Sequence, residues 1–155
     1  MRKFLDNINK CLHWASIVSI TIMLFVIFLQ VIFRYVLHNS LTFSEELARY
    51  LFVWTVFLGS AVVAKDNGHI IVGALTQRFT GITSKYVQIL AYIATMTFVA
   101  ILFFQGIKMM RLVSFQHSPA LGISMSYVYL AIPVSMFVMF LNILILALDV
   151  LRAKE

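Results

Sequence analysis

Four long apolar stretches take up most of this chain, and most of its charged side chains lie in the short segments between them. The stretches run over residues 12–33, 44–64, 86–107 and 125–148. A helix rises about 1.5 Å per residue and the hydrocarbon core of a bilayer is about 30 Å thick, so about 20 apolar residues span it. Each stretch meets this length. The sequence therefore predicts an all-α membrane protein with four transmembrane helices.

Composition supports the same class of protein. Hydrophobic residues make up 62% of the chain, charged residues only 12%, and the mean hydropathy is +0.96. Soluble domains carry about 25% charged residues. The segments between the stretches are too short for a separate domain, so we expect residues 1–155 to form a single membrane domain in contact with the lipid bilayer.

The basic residues predict the orientation. An even number of spans places both termini on one side of the membrane, and Lys and Arg are enriched in cytoplasmic segments. With both termini inside, the cytoplasmic segments hold 8 basic residues and the opposite side holds 4. We therefore expect cytoplasmic termini, and the net charge of +6 requires no nucleic-acid partner. The cytoplasmic set is Arg2, Lys3, Lys10, Lys65, Arg78, Lys85, Arg152 and Lys154; the other is Arg34, Arg49, Lys108 and Arg111.

The segment between the second and third stretches has a pattern of its own. Residues 69–80 place apolar side chains on one helical face, which is typical of a short amphipathic helix lying on the membrane surface. An irregular loop with chance apolar residues remains the alternative, because periodicity in a short segment is a weak signal. The predicted interfacial helix includes His69, Ile71, Val72, Leu75 and Phe79.

A charged cluster opens the second stretch. Glu45 and Arg49 are spaced i, i+4 and Glu46 and Arg49 are spaced i, i+3, so an ion pair along the helix is expected. One interpretation is ordinary capping, because carboxylates are favoured at a helix N-terminus. The other is that a carboxylate contacts a partner subunit or a neighbouring helix, for example through Arg34.

Catalytic, metal and cofactor sites find no support in the sequence. The four histidines lie at span ends or between spans without metal-ligand spacing, and there is no Ser, His and Asp grouping, phosphate loop or Cys pair. We therefore expect no enzyme activity and no cofactor. Asn142 and three glutamines within or near spans are interpreted as joining helices. Pro133 removes one backbone hydrogen bond and predicts a kink in the fourth span.

Two sequence runs resemble a known family. The first is Ser44-Glu45-Glu46-Leu47-Ala48-Arg49-Tyr50-Leu51-Phe52-Val53-Trp54, continuing to Ala61 and followed by Lys65 and Gly68-His69-Ile70-Ile71-Val72. The second is Ser118-Pro119-Ala120-Leu121-Gly122-Ile123-Ser124-Met125, with Tyr129 and Ile132-Pro133 behind it. Together with four spans, these runs resemble the small, DctQ-like membrane subunit of tripartite ATP-independent periplasmic (TRAP) transporters.

The resemblance implies an accessory scaffold role in the bacterial inner membrane. In that family a large elevator-type permease subunit carries substrate with sodium, and a periplasmic substrate-binding protein delivers an organic acid such as a sialic acid or a C4-dicarboxylate. By similarity, Glu45, Glu46, Arg49 and Trp54 would lie near the contact with the large subunit. Two alternatives stay open: a self-sufficient small oligomeric transporter or other membrane assembly factor, which would need an ionisable group deep in the membrane if it transports, and a membrane enzyme.

Overall fold

The computed structural model describes the backbone of residues 2–39, 41–76 and 82–152, and the side chains of residues 2–39, 41–65 and 86–150. The described residues are almost entirely helical, as predicted for the fold class. The helices are α1 (Arg2–Tyr35), α2 (Thr42–Thr76), α3 (Ile82–Leu112), α4 (Ser126–Tyr129) and α5 (Ala131–Arg152).

Four helical segments in the described part of the chain are long and apolar enough to cross a membrane, which confirms the predicted class. They are Arg2–Tyr35, Thr42–Lys65, Tyr86–Leu112 and Ser126–Val150, the last joining α4 and α5. At 34 residues α1 is about 51 Å long, so it extends beyond the hydrocarbon core at one or both ends.

The backbone of α2 continues as helix past the end of the second predicted span to Thr76. The interfacial helix predicted over residues 69–80 lies largely outside the described residues, because its side chains and residues 77–81 are not described. The orientation of this segment relative to the membrane stays a prediction.

The helices pack in a row in the order α1, α2, α5, α3. α1 packs along α2, α2 also packs along α5, and α5 packs along α3. Within the described residues α1 makes no contact with α3, so the row is not closed into a bundle. An open row leaves more helix surface to lipid or to a partner than a closed four-helix bundle does. Consistent with this, α1 buries only Leu5 and Asn9 within the chain.

The best-packed part of the row is the contact between α3 and α5. Tyr92 and Val99 of α3 are buried against Met136 and Ile143 of α5. Both pairs are spaced seven residues apart, two helical turns, which places each pair on one face of its helix. Phe57 of α2 packs against the same cluster and joins the middle of the row to it.

Close approach of α3 to α5 depends on a glycine. A Cβ added at Gly106 would lie 2.8 Å from Ile132 Cγ2 and 3.1 Å from Pro133 Cδ, so a larger residue would force the helices apart.

Pro133 lies in the first turn of α5, where a missing backbone N–H is best tolerated. The helix of the fourth span is interrupted at Leu130, three residues before Pro133, where α4 gives way to α5.

Candidate functional site

The start of α2 presents two carboxylates in different surroundings. Glu45 accepts a hydrogen bond from the Arg49 guanidinium at 3.0 Å, and the two side chains are 69% and 67% exposed. Glu46 is turned by about 100° around the helix from Glu45, because each residue advances by that angle. The Tyr50 hydroxyl donates a hydrogen bond to Glu46 Oε1 at 2.5 Å, and the Tyr50 residue is buried. One carboxylate therefore faces outward and the other faces the chain itself.

The loop of residues 113–125, between α3 and α4, closes on itself as a small hairpin. The Ser118 N–H donates to the Ile123 carbonyl at 2.9 Å, and the Gly122 N–H donates to the Ser118 carbonyl at 2.9 Å. Gly122 has φ +67°, a left-handed conformation that favours glycine, and it completes the turn. The Met125 N–H donates to the Gln116 carbonyl at 2.9 Å and holds the base of the hairpin.

Glu46 joins this loop to α2. Its Oε2 accepts hydrogen bonds from the backbone N–H groups of Ala120, at 3.0 Å, and Leu121, at 3.2 Å. The Leu121 N–H also lies 3.1 Å from the Ser118 hydroxyl oxygen. Hydrogen bonds to a charged acceptor are stronger than neutral ones, so the carboxylate is a firm attachment point for the turn. The two sequence runs singled out above thus meet at Glu46.

The remaining candidates for a subunit contact lie apart from this attachment. Arg34 is exposed near the end of α1, and among the described side chains it takes part in no ion pair. Trp54 is partly buried, one helical turn beyond Tyr50. Arg49 pairs with Glu45 rather than with Glu46. The structure therefore separates an outward pair, Glu45 and Arg49, from the inward Glu46.

A second polar cluster ties α1 to the middle of the row at the opposite end of the helices. Lys65 of α2 pairs with Asp6 of α1 at 2.7 Å, and Arg2 of α1 pairs with Asp149 of α5. Between these ion pairs, Asn9 and Asn142 are 4% and 3% exposed and bond to each other.

A cleft of about 240 Å³ opens beside this second cluster, and it is bounded by the same charged groups. All four of its ionised side chains are already paired, two by two. Among the described residues, no group of three or more His, Cys, Asp or Glu side chains could hold a metal ion.

Several of these contacts could not be found in the sequence. Asn142 joins helices, as predicted from the sequence. Nothing in the sequence singled out its partner Asn9, because polar residues near a chain end are common. Tyr50 lies four residues after Glu46, a spacing that places both on one helix face and could have suggested their contact. The sequence could not indicate that Glu46 accepts two N–H groups of the loop, because these donors lie 74 and 75 residues away along the chain.

Comparison with known proteins decides the family. The family model for the DctQ component of tripartite ATP-independent periplasmic transporters matches residues 23–153, which include both the start of α2 and the loop 113–125. The chain belongs to the DctQ family. It is the small permease component of a TRAP transporter and a multi-pass membrane protein, so it is a transport component and not an enzyme. The resemblance read from the sequence is confirmed.

Curated relatives agree with this assignment. A Haemophilus influenzae protein named as a TRAP transporter small permease protein is 32% identical over 133 residues, covering 86% of this chain and 81% of the relative. The sialic acid TRAP transporter permease protein SiaT of H. influenzae is 29% identical over 131 residues. The isethionate TRAP transporter permease protein DctMQ of Oleidesulfovibrio alaskensis is 28% identical over 146 residues. The matches cover 82% and 89% of this chain but only 21% and 22% of these two longer relatives.

Proposed function

We propose that this small permease is an accessory scaffold subunit that docks to the large elevator permease of a sodium-coupled importer, which a periplasmic binding protein supplies with an organic acid. The observation that carries the proposal is the open row of four helices without ionisable groups in the membrane interior. No Asp, Glu, Lys or Arg occurs in residues 12–33, 50–64, 86–107 or 125–148. A charge at such depth costs about 2.5–3.5 kcal/mol on insertion scales and usually marks a transport pathway.

Pairing with a large permease is supported by the two longer relatives. This chain matches about a fifth of SiaT and of DctMQ, both named as TRAP transporter permease proteins. We infer that the remaining four-fifths of those proteins correspond to the large subunit. The fusion in these relatives supports direct contact between the two parts, and therefore a docking surface on the small one.

The proposed docking surface follows the outward face of α2. Glu45 and Arg49 lie at its membrane-surface end, and Phe52 and Val56 continue it with exposed apolar side chains. These four residues recur at helical spacing and therefore share one face. An exposed ion pair contributes only about 0–1 kcal/mol to folding, so a strong effect of its removal on complex formation would come from a partner. Arg34 and Trp54 remain candidates for the edges of this surface.

The transported substrate belongs to the class of organic acids. Relatives are named for sialic acid, a carboxylate, and for isethionate, a sulfonate, although this part of each chain is similar. This supports an anionic substrate that the large permease and the binding protein select. The scaffold subunit itself would contact neither acid group.

The proposed orientation places both termini and residues 65–85 in the cytoplasm of a bacterium, with the protein in the inner membrane. The distribution of basic residues, 8 against 4, supports it. The loop 113–125 and the start of α2 then face the periplasm, and the ion pairs of Arg2 and Lys65 face the cytoplasm. The segment 69–80 would lie along the inner surface. Residues 1–155 would act as one domain.

Co-purification with the cognate large permease tests the docking surface. We expect a charge-reversed Arg49→Glu variant to lose most of the large permease that wild type retains. The double variant Glu45→Arg/Arg49→Glu restores the ion pair within α2 but reverses the charges that a partner meets. It should regain part of the permease only if the partner contacts the pair weakly. Arg111→Glu is the matched control, because Arg111 is also an exposed arginine but lies on α3, outside the proposed surface. Normal permease recovery with Arg49→Glu would contradict the proposed surface.

A further inference from the structure

The loop 113–125 does not need Glu46 in order to close. Its hairpin is held by its own backbone bonds, from Ser118 to Ile123 and from Met125 to Gln116. Ser114 and Ser124 add a further bond, from the Ser124 hydroxyl to the Ser114 carbonyl at 3.0 Å. What Glu46 adds is the placement of a closed hairpin relative to α2.

The placement is made by one side chain with three donors. Glu46 Oε2 takes the N–H groups of Ala120 and Leu121, while Oε1 takes the Tyr50 hydroxyl. Tyr50 is buried, and its hydroxyl lies 3.3 Å from Met125 Sδ at the other end of the loop. The turn and the base of the hairpin therefore both contact the same turn of α2.

The loop carries an apolar side chain that nothing within the described chain covers. Phe115 is 90% exposed, and it lies three residues beyond the end of α3. Ile123, on the other strand of the hairpin, is 40% exposed. Together they leave apolar surface on both strands of the hairpin that no described residue covers. In the proposed orientation this side of the loop faces the periplasm, where the soluble component of the transporter approaches the membrane.

We propose that Glu46 is a positioning residue, whose carboxylate holds the hairpin of residues 113–125 in the orientation that the soluble binding component of the transporter meets. This inference rests on the proposed function, since it assumes that the loop faces the periplasm. It gives Glu46 a role through the loop, whereas the family resemblance placed this residue near the contact with the large permease.

Hydrogen–deuterium exchange of the purified chain in detergent tests the first half. Replacing a charged acceptor weakens a hydrogen bond enough to raise local opening about tenfold. We expect the Ala120 and Leu121 amides, followed in overlapping peptides of the loop, to exchange about tenfold faster in Glu46→Ala, while amides bonded within the hairpin stay protected. The increase should be intermediate in Glu46→Gln and in Tyr50→Phe, which serve as the test if Glu46→Ala folds poorly. Glu45→Gln is the matched control and should exchange as wild type. Unchanged exchange in all three variants would show that Glu46 does not hold the loop.

Uptake by the reconstituted complex tests the second half. With Glu46→Gln, we expect the concentration of binding protein for half-maximal sodium-driven uptake to rise severalfold, while co-purification of the large permease and the maximal rate stay near wild type. Thr97→Ala, an exposed mid-span position, should change neither. Faster loop exchange with an unchanged half-maximal concentration would overturn the inference. If wild-type uptake did not depend on the binding protein at all, the proposed function would fail, whereas the exchange result would still decide whether Glu46 holds the loop.

Discussion

Asn9 of α1 and Asn142 of α5 exchange two amide hydrogen bonds, at 2.8 and 2.9 Å, although 133 residues separate them in the chain. Asn142 also donates to the Ala61 carbonyl of α2 at 3.0 Å, so one side chain joins three helices. Apart from this end, α1 packs almost only along α2. The buried amide pair therefore joins α1 directly to α5, together with the Arg2–Asp149 ion pair at the same end.

Removing this pair should destabilise the chain in a coupled way. Asn142→Ala leaves the buried Asn9 amide without that partner, which costs about 1–3 kcal/mol in unfolding free energy. The double variant Asn9→Ala/Asn142→Ala should cost less than the sum of the single variants, with a coupling of about 0.6–1.7 kcal/mol. Unfolding in mixed detergent micelles measures both. Thr95→Ala is the control, because Thr95 bonds only a carbonyl of its own helix and is exposed. Strictly additive effects would exclude the proposed coupling.

Replacing Gly106 or Gly59 by alanine should change the unfolding free energy in different directions. Gly106→Ala places a methyl 2.8 Å from Ile132 Cγ2, so we expect a loss of about 1–3 kcal/mol from overpacking between α3 and α5. Gly59→Ala meets only Ser16 Oγ at 3.7 Å, an ordinary contact. Since alanine favours helix over glycine by about 0.5–1 kcal/mol, Gly59→Ala should be neutral or stabilising. Equal effects of the two variants on unfolding would show that Gly106 does not set the helix spacing.

The four membrane spans and their helical type were predictable because hydropathy over about 20 residues is a local property of the sequence. Their order in the row was not, since it depends on contacts such as Asn9 with Asn142 that join distant residues. The same holds at the candidate site. Helical spacing predicted an ion pair of Arg49 with either Glu45 or Glu46, and the structure has the Glu45 pair. The bonds from the loop to Glu46 depend instead on how residues 113–125 fold over the start of α2.

The orientation can be tested with single cysteines. After Cys11→Ser removes the native thiol, which is exposed, Asn39→Cys and Gln77→Cys should react from opposite sides of the membrane. Asn39 lies between the first two spans and Gln77 between the next two, and the basic residues favour the second segment inside. An impermeant maleimide added to intact spheroplasts should label position 39 only. Labelling of both positions, or of position 77 alone, would reverse or refute the orientation.

The predicted interfacial helix after the second span implies that nearby residues lie at different depths in the bilayer. If residues 69–80 form a helix on the inner surface, a spin label at Leu75 should be more accessible to oxygen in the bilayer, and one at Gln77 more accessible to a water-soluble relaxation agent. Equal aqueous accessibility at the two positions would favour the irregular loop.

Transport by purified components in liposomes distinguishes an accessory subunit from a self-sufficient transporter. With an inward sodium gradient and labelled sialic acid, isethionate or a C4-dicarboxylate, each with its binding protein, we expect no uptake by this chain alone. The complex with the cognate large permease should take up one of these acids, and omission of this chain should reduce that uptake. Sodium-driven uptake by the small permease alone would contradict an accessory role.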